Sequence, residues 1–375
     1  MKILHQKIRF LDNTLRDGEQ TPGVMFNNEN KTKLVSVLAD IGIEAAEVGF
    51  PAVSDEERLS IKSIVKLGLD IDITVLCRPI RKDIDYAYEC GVKSVRVLFP
   101  KSKKYIEQLG LNPSNLESEI IKIVEYAFSM GFRVRVIYED AARTSQEDII
   151  SIFSKLANIG VYTLGFADTS GIMTPFDTFA RIKEIVKEVN CPIGIHCHND
   201  LGLATANTLA ALEAGATEIE SCVNGIGERA GNAAFEEIAV LLHQHYHTNL
   251  SINFALLDNL SKLVSQYSGL LVSPQKPIVG SNAFLHESGI HANSIIHGEK
   301  IYQAFDPALI QRRHEISIGK HSSLLSIQHF LYQNGINFLP SEQKNLLSYI
   351  KQQLSANRDI DVIVDDFIKR SNSEC

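Results

Sequence analysis

From residue 8 to about residue 245, the chain alternates between short apolar runs and amphipathic stretches of helical length. The apolar runs, rich in β-branched residues, lie near 8–12, 44–48, 71–76, 93–98, 133–138, 162–166, 192–197 and 218–223. Between them lie helical patterns such as Asn30–Ile41, Leu116–Met130, Gln146–Ile159 and Leu201–Ala214. An open doubly wound sheet usually has fewer strands and a GxGxxG motif after the first strand, which this chain lacks. Eight strand–helix units therefore predict an α/β fold, a closed (β/α)8 TIM barrel.

The alternation stops beyond about residue 250. Pro274–Pro277 resembles a linker, a polar segment follows at 280–322, and helical patterns return at 323–335 and 341–357. We predict a barrel domain over 1–273 and a C-terminal helical extension over 274–375, with no regulatory domain.

Composition narrows the class of protein. The chain has 375 residues, 45% of them hydrophobic, and a net charge of −8 without a basic stripe. This charge argues against nucleic acid or an anionic membrane as the main partner. The six cysteines include no CxxC pair, which favours reduced thiols. No run of about 18 apolar residues exists, and Met1–His5 lacks the apolar region of a signal peptide, so we expect a cytoplasmic protein.

A histidine pair lies at the end of the seventh apolar run. Residues i and i+2 of a strand project to the same face, so His196 and His198 can bind one metal ion together. An H-x-H pattern is equally compatible with two surface histidines. Cys197 should then point the other way, as a core residue.

Polar residues are concentrated after several of the predicted strands. Their segments are Asp12–Gln20, Glu139–Asp140, Asp168–Gly171 and Asn224–Asn232. In a barrel these segments meet at one rim, so a carboxylate, two imidazoles and an amide oxygen can converge on one cation. Such a donor set suits Mn²⁺, Zn²⁺ or, less well, Mg²⁺. Each residue alone could instead be a helix cap or part of a surface ion pair.

Three motifs closely resemble the homocitrate synthase and 2-isopropylmalate synthase family: Thr14–Gln20, His196–Gly202 and Asn224–Ala233. The resemblance extends over about residues 8–325. Members of this family join an acyl-CoA to a 2-oxo acid on a metal-bearing barrel. The resemblance implies acetyl-CoA as co-substrate and a divalent metal ion. It also implies metal ligands at Asp17, His196 and His198, with Asn232 in or near the coordination sphere.

The same resemblance implies roles in substrate binding and catalysis. Arg16 would bind the oxo acid and stabilise the developing alkoxide, with Gln20 beside it, and Glu139 and Thr169 would lie in the polar substrate pocket. His286–Ala292 resembles the family's segment that reaches over a barrel, often that of a partner subunit. His291 would then be the acid/base, with Tyr302 as a second catalytic group, in a homodimer. Without the resemblance, His291 would be a loop histidine with no task.

The identity of the 2-oxo acid is less constrained. Phe166–Thr169, Leu203–Ala211 and Gly319–Ser322 resemble homocitrate synthases of the nitrogen-fixation type, which favours 2-oxoglutarate. Gly49–Ser54 instead resembles the isopropylmalate branch, which uses 2-oxoisovalerate, and citramalate synthase remains open. A metal-dependent C–C lyase or aldolase is the alternative class.

A dicarboxylic substrate needs a cation for its far carboxylate. The candidates lie in or after strands 3 and 4, and they are Arg78, Arg96, Lys101, Lys103 and Lys104. The lysines could equally form a solvated loop. The loop at 100–105 departs from the pattern of homocitrate synthases, which argues against 2-oxoglutarate.

Overall fold

The structure is a computed structural model that describes residues 7–246, 248, 250–353 and 360–373. Eight parallel strands form a closed barrel in sequence order, and β1 pairs with both β2 and β8. The strands are β1 Arg9–Asp12, β2 Ala45–Glu47, β3 Asp72–Cys77, β4 Ser94–Phe99, β5 Arg133–Tyr138, β6 Thr163–Asp168, β7 Ile193–Cys197 and β8 Glu218–Ser221. The predicted (β/α)8 fold is confirmed.

Helices follow the strands and end where the sequence provides stop signals. They are α1 Asn28–Ile41, α2 Asp55–Lys66, α3 Arg81–Cys90, α4 Lys103–Gln108, α5 Leu116–Ser129, α6 Gln146–Asn158, α7 Pro175–Glu188, α8 Ala204–Ala214, α9 Phe235–Tyr246 and α10 Leu257–Ser268. Ser54, Ser145 and Thr174 cap their helix N-termini by accepting a backbone N–H. Gly42 ends α1 with a φ of 91°, a conformation that favours glycine.

Charged side chains fill part of the barrel interior. Arg135 on β5 lies 2.9 Å from Asp72 at the start of β3 and 3.5 Å from Glu218 at the start of β8. Because β5 and β8 are not neighbours in the sheet, this contact crosses the lumen. Strand alternation therefore directs Ile137, two residues after Arg135, to the inside as well.

The chain divides into two compact units, Met1–Val272 and Ser273–Cys375. The second unit contains the two-stranded sheet β9 Leu285–His286 with β10 Glu315–Ile316, and the helices α11 Gly289–Ile296, α12 Leu324–Gln333, α13 Pro340–Gln353 and α14 Ile360–Ser373. Ile327, Leu331, Leu346 and Ile350 are among the residues of its own apolar core. The helical patterns predicted at 323–335 and 341–357 correspond to α12 and α13. The sequence did not predict α14.

Some expectations fall on residues that the structure does not describe. Met1–His5, residues 354–357 of the predicted helix, and Cys375 lie outside the described residues. Cys77, Cys90, Cys191, Cys197 and Cys222 are free thiols. In the part of the chain that the structure describes, no helix is long and apolar enough to cross a membrane.

Candidate active site

Asp17, His196 and His198 lie together at the carboxyl ends of β1 and β7. The Nε2 atoms of the two histidines are 3.2 Å apart, and Asp17 Oδ2 lies 3.6 Å from His196 Nε2 and 3.9 Å from His198 Nε2. All three residues are buried, and their ligand-type atoms lie within 4.8 Å of one another. Cys197 is also buried but lies against Thr208 of α8, which confirms that it points away from the histidines.

The surroundings hold Asp17 and His198 in the protonation states that metal ligands need. Burial opposes ionisation of Asp17, but Arg16 and the two histidines outweigh it and hold the pKa of this carboxyl well below its usual range. Burial, reinforced by neighbouring His196, lowers the pKa of His198 to about 4. Near neutral pH the cluster is therefore a carboxylate beside a neutral imidazole of His198.

The loop after β8 brings an amide into the same cluster. Asn232 Nδ2 donates to Asp17 Oδ1 at 2.8 Å, and a backbone bridge pairs Asn232 with His198. This approach needs glycine at 227, because a Cβ there would lie 2.1 Å from Asn232 Nδ2 and 2.9 Å from Asp17 Oδ1. The ion pair of Arg229 with Asp200, at 2.8 Å, joins this loop to the loop after β7.

The cluster fits a divalent cation by its donors. Asn232 Oδ1 and His198 Nδ1 are buried, and neither has a hydrogen-bond partner among the described residues. An unpaired buried oxygen beside a carboxylate and two imidazoles is unfavourable unless a further group satisfies it. Two nitrogens with carboxylate and amide oxygens match the donors of Mn²⁺ or Zn²⁺ sites. Asp17, His196, His198 and Asn232 can thus hold such an ion.

Arg16 adjoins this cluster and a surface cleft. Its Nη1 atom donates to Asp17 Oδ2 at 2.9 Å and to Gln20 Oε1 at 3.4 Å, and its Nε atom donates to Glu47 Oε2 at 2.6 Å. Arg16, Gln20 and Phe50 help to line a cleft of about 570 Å³. A substrate in this cleft would therefore meet the guanidinium group next to the candidate metal ligands.

Glu139 and Thr169 follow the adjacent strands β5 and β6, and both are half-buried. Glu139 Oε2 accepts from the backbone N–H of Lys101, and Thr169 Oγ1 accepts from that of Asp140, both at 2.8 Å. These bonds fasten neighbouring loops at the rim of the barrel. They do not join either residue to Asp17.

His291 and Tyr302 lie in the second unit, where their rings stack with centroids 3.8 Å apart and an interplanar angle of 22°. His291 is exposed at the start of α11, and Tyr302 is half-buried. The structure therefore brings these two predicted catalytic groups together.

Three buried charged residues beneath the cluster escaped assignment to the site from sequence. Glu220 on β8 lies 3.1 Å from His196 Nδ1, and Arg96 on β4 contacts both Glu220 and Glu47. The sequence suggests Arg96 only as a contact for a substrate carboxylate. The available signal was a charge within an otherwise apolar strand run, which indicates a side chain facing the barrel interior.

The fold and the site define the class of protein: a (β/α)8-barrel enzyme with a candidate Asp-His-His metal site at the C-terminal rim. Residues 7–264 match the HMGL-like family, and residues 278–358 match the homocitrate synthase post-HMGL domain-like family. The chain therefore belongs to the HMGL-like family.

Curated relatives carry three different names. The chain is 37% identical to 2-isopropylmalate synthase of Methanocaldococcus jannaschii, over 96% of this chain and 72% of that protein. It is also 37% identical to homocitrate synthase AksA of Methanothermobacter thermautotrophicus, over 96% and 91%, and to a putative (R)-citramalate synthase of Methanopyrus kandleri, over 92% and 69%. It is thus an acyl-CoA-dependent acyltransferase that condenses acetyl-CoA with a 2-oxo acid.

Solved structures agree on the fold. The HMG-CoA lyase of Bacillus subtilis superposes with a TM-score of 0.65 at 19% identity, covering 73% of this chain and 97% of the lyase. This likeness concerns the fold alone.

Proposed function

We propose that this enzyme condenses acetyl-CoA with a 2-oxo acid that has a short apolar side chain, at a divalent ion held by Asp17, His196, His198 and Asn232. The observation that carries the proposal is the cluster of buried, oriented ligands beside Arg16. Mn²⁺ and Zn²⁺ are the ions that best suit these donors.

Arg16 is the residue that we assign to the oxo acid. An ion in the site would supply Lewis-acid polarisation of the ketone. The Nε and Nη1 atoms of Arg16 already bond to Glu47 and Asp17, which leaves Nη2 to donate to the ketone oxygen. The guanidinium group would then stabilise the alkoxide as negative charge develops there. Gln20 and Thr169 are proposed to bind the substrate beside it.

We assign the proton steps to His291. A base must remove a proton from the methyl group of acetyl-CoA, after which the enolate attacks the ketone carbon. Water then hydrolyses the thioester and releases free CoA. The stacked contact with Tyr302 supports one catalytic unit made of both side chains. Glu139, on the barrel rim, is a further catalytic group that we propose.

The side chain of the oxo acid would occupy an apolar patch next to the ligands. Leu76, Ile137 and Ala167 form a small buried cluster against which Phe50 and Leu98 pack. Ala167 is the register partner of His196, and Phe50 also lines the cleft that contains Arg16. A methyl or isopropyl group would bury apolar surface here, as in pyruvate or 2-oxoisovalerate.

The pairing of the nearby arginines also favours an oxo acid with an apolar side chain. Arg78 is paired with Asp83, and Arg96 is paired with Glu47 and Glu220. The far carboxylate of 2-oxoglutarate would have to compete with these carboxylates or reach the exposed lysines of the loop after β4. The sequence favours 2-oxoglutarate, and homocitrate synthase remains the second candidate because relatives with that name are 37% and 40% identical to the chain.

A panel of 2-oxo acids tests the proposal. The Mn²⁺-loaded enzyme would be assayed with acetyl-CoA and pyruvate, 2-oxoisovalerate or 2-oxoglutarate, with free CoA followed by a thiol reagent. We expect kcat/KM for the best apolar acid to exceed that for 2-oxoglutarate by about 100-fold or more, because an unpaired carboxylate is costly to bury.

The same assay distinguishes the alternatives. A preference for 2-oxoglutarate would reject the apolar pocket and establish a homocitrate synthase. The His198→Ala variant serves as the control, since it should release no CoA with any acid. Absence of CoA release from the native enzyme with every acid would reject the condensation itself.

A further inference from the structure

Six side chains below the barrel mouth form a closed ring of polar contacts, in which His196 Nε2 and Asp17 Oδ2, 3.6 Å apart, make the longest link. In order around the ring they are Arg16, Asp17, His196, Glu220, Arg96 and Glu47. The ring contains candidate metal ligands, the arginine proposed to bind the oxo acid, and three residues with no role assigned so far. All three of these residues are almost completely buried.

Glu220 sets the orientation of one candidate ligand. Its Oε2 atom lies 3.1 Å from His196 Nδ1 and accepts a hydrogen bond from Asn13 Nδ2 at 3.4 Å. Asn13 Nδ2 also lies 3.3 Å from His196 Nδ1, but the carboxylate is closer. A carboxylate acceptor at Nδ1 favours the tautomer that carries the proton there and leaves the Nε2 lone pair for a cation.

Arg96 connects this arrangement to Arg16. Its Nη2 atom contacts Glu220, and its Nη1 atom donates to Glu47 Oε2 at 2.9 Å. The same Glu47 oxygen accepts from Arg16 Nε at 2.6 Å. One planar guanidinium group therefore spaces two carboxylates, of which one orients His196 and the other orients Arg16.

We propose that Arg96 and Glu220 are positioning residues that hold His196 and Arg16 in the relative positions that metal and oxo-acid binding require. This inference rests on the proposed metal site. It assigns Arg96 to the protein's own carboxylates rather than to a substrate. It also explains why three charges are buried in the barrel when desolvation makes each of them costly.

The test measures metal binding without turnover. Mn²⁺ would be titrated into the metal-free enzyme, and free Mn²⁺ would be followed by electron paramagnetic resonance. Glu220→Gln keeps an acceptor for His196 but loses the charge, and we expect about 10-fold weaker Mn²⁺ binding. Glu220→Ala loses both the acceptor and the charge. We expect it to bind Mn²⁺ about 100-fold more weakly, which is the upper range for residues that contact a metal ligand.

The Arg96→Lys variant tests whether Arg96 must hold Glu220 and Glu47 together. A single ammonium group keeps the charge but cannot hold both carboxylates in one plane. We expect the KM for the 2-oxo acid to rise and kcat to fall, each by about 10-fold, while the KM for acetyl-CoA stays unchanged. General loss of stability would not produce this selective change.

The barrel offers a matched control in Glu218, which is buried and paired with Arg135 and makes no hydrogen bond or ion pair with the ring among the described residues. Glu218→Gln should lower the melting temperature yet retain native Mn²⁺ affinity. Native affinity in both Glu220 variants, or equal weakening in Glu218→Gln, would overturn the positioning role. Failure of the unmodified enzyme to bind Mn²⁺ would reject the metal site itself, and the positioning role with it.

Discussion

Asp12 and Asp17 lie on one short segment, but the protein shifts the pKa values of their carboxyl groups in opposite directions. Asp17 has Arg16 and two histidines around it and stays ionised. Asp12 is equally buried, but its hydrogen bonds come from the hydroxyl and backbone N–H of Thr14, and Glu236 adds repulsion. Burial therefore raises the pKa of Asp12 to about 7. Of the two, Asp17 alone is fully ionised near neutral pH, as a cation requires.

The raised pKa of Asp12 predicts a pH-dependent stability. The native state holds this proton more tightly than the unfolded chain, where the pKa is near 3.8. The resulting contribution to stability is complete below pH 3.8 and is lost as the pH rises through 7. It amounts to at most about 4 kcal/mol. Asp12→Asn removes the titration while keeping an acceptor for the Thr14 backbone N–H.

We expect the melting temperature of Asp12→Asn, relative to the native protein, to rise between pH 5 and pH 8. Thermal unfolding in matched buffers with EDTA measures the difference. Parallel curves for the two proteins across this range would show that Asp12 does not titrate in the folded state.

At the scale of elements, the site depends on how the loop after β8 folds back against the loop after β1. The backbone N–H of Asn232 donates to Gly225 O at 2.9 Å, and Thr21 Oγ1 donates to Gly227 O at 3.0 Å. These bonds hold Gly227 close to the amide of Asn232 and the carboxylate of Asp17. The loop therefore has no room for a side chain at 227.

Gly227→Ala should displace Asn232 from Asp17 and weaken Mn²⁺ binding by about 10-fold or more. Gly23 is the matched control. It also has a positive φ, of 86°, but a Cβ there would meet nothing within 4 Å. Gly23→Ala should cost about 1 kcal/mol of backbone strain and leave Mn²⁺ affinity unchanged. Equal affinity for the two variants, measured by titration, would contradict this account of the loop.

The sequence predicted strands, their number and the rim segments well, because hydrophobic periodicity and glycine stop signals are local. The contacts within the ring beneath the site could not be predicted from the sequence, for a different reason. Glu47, Arg96 and Glu220 lie on strands far apart in the chain, and their contacts exist only once the barrel closes. A charge in an apolar run shows that a partner is needed, but it does not show which one.

At the scale of the whole molecule, the predicted site residues lie in two separate units. Asp17 and the histidines belong to the barrel, whereas His291 and Tyr302 belong to the C-terminal unit. Neither periodicity nor spacing in the sequence indicates whether a barrel uses the C-terminal unit of its own chain. From the resemblance to the synthase family, we propose a homodimer in which the C-terminal unit of one chain completes the other chain's site.

Mixed dimers test that arrangement. His198→Ala and His291→Ala should each be inactive as pure proteins, the first through the barrel and the second through the C-terminal unit. When the two chains are co-expressed with different affinity tags, a dimer that contains one of each has one barrel with native ligands facing a native His291. Random pairing should then restore about 25% of native activity, because half of the dimers carry one intact site out of two. The doubly tagged fraction, purified in two steps, should have about half of the native specific activity. Sedimentation would establish its mass. An inactive mixed dimer, or an active native monomer, would show that each site is built from a single chain.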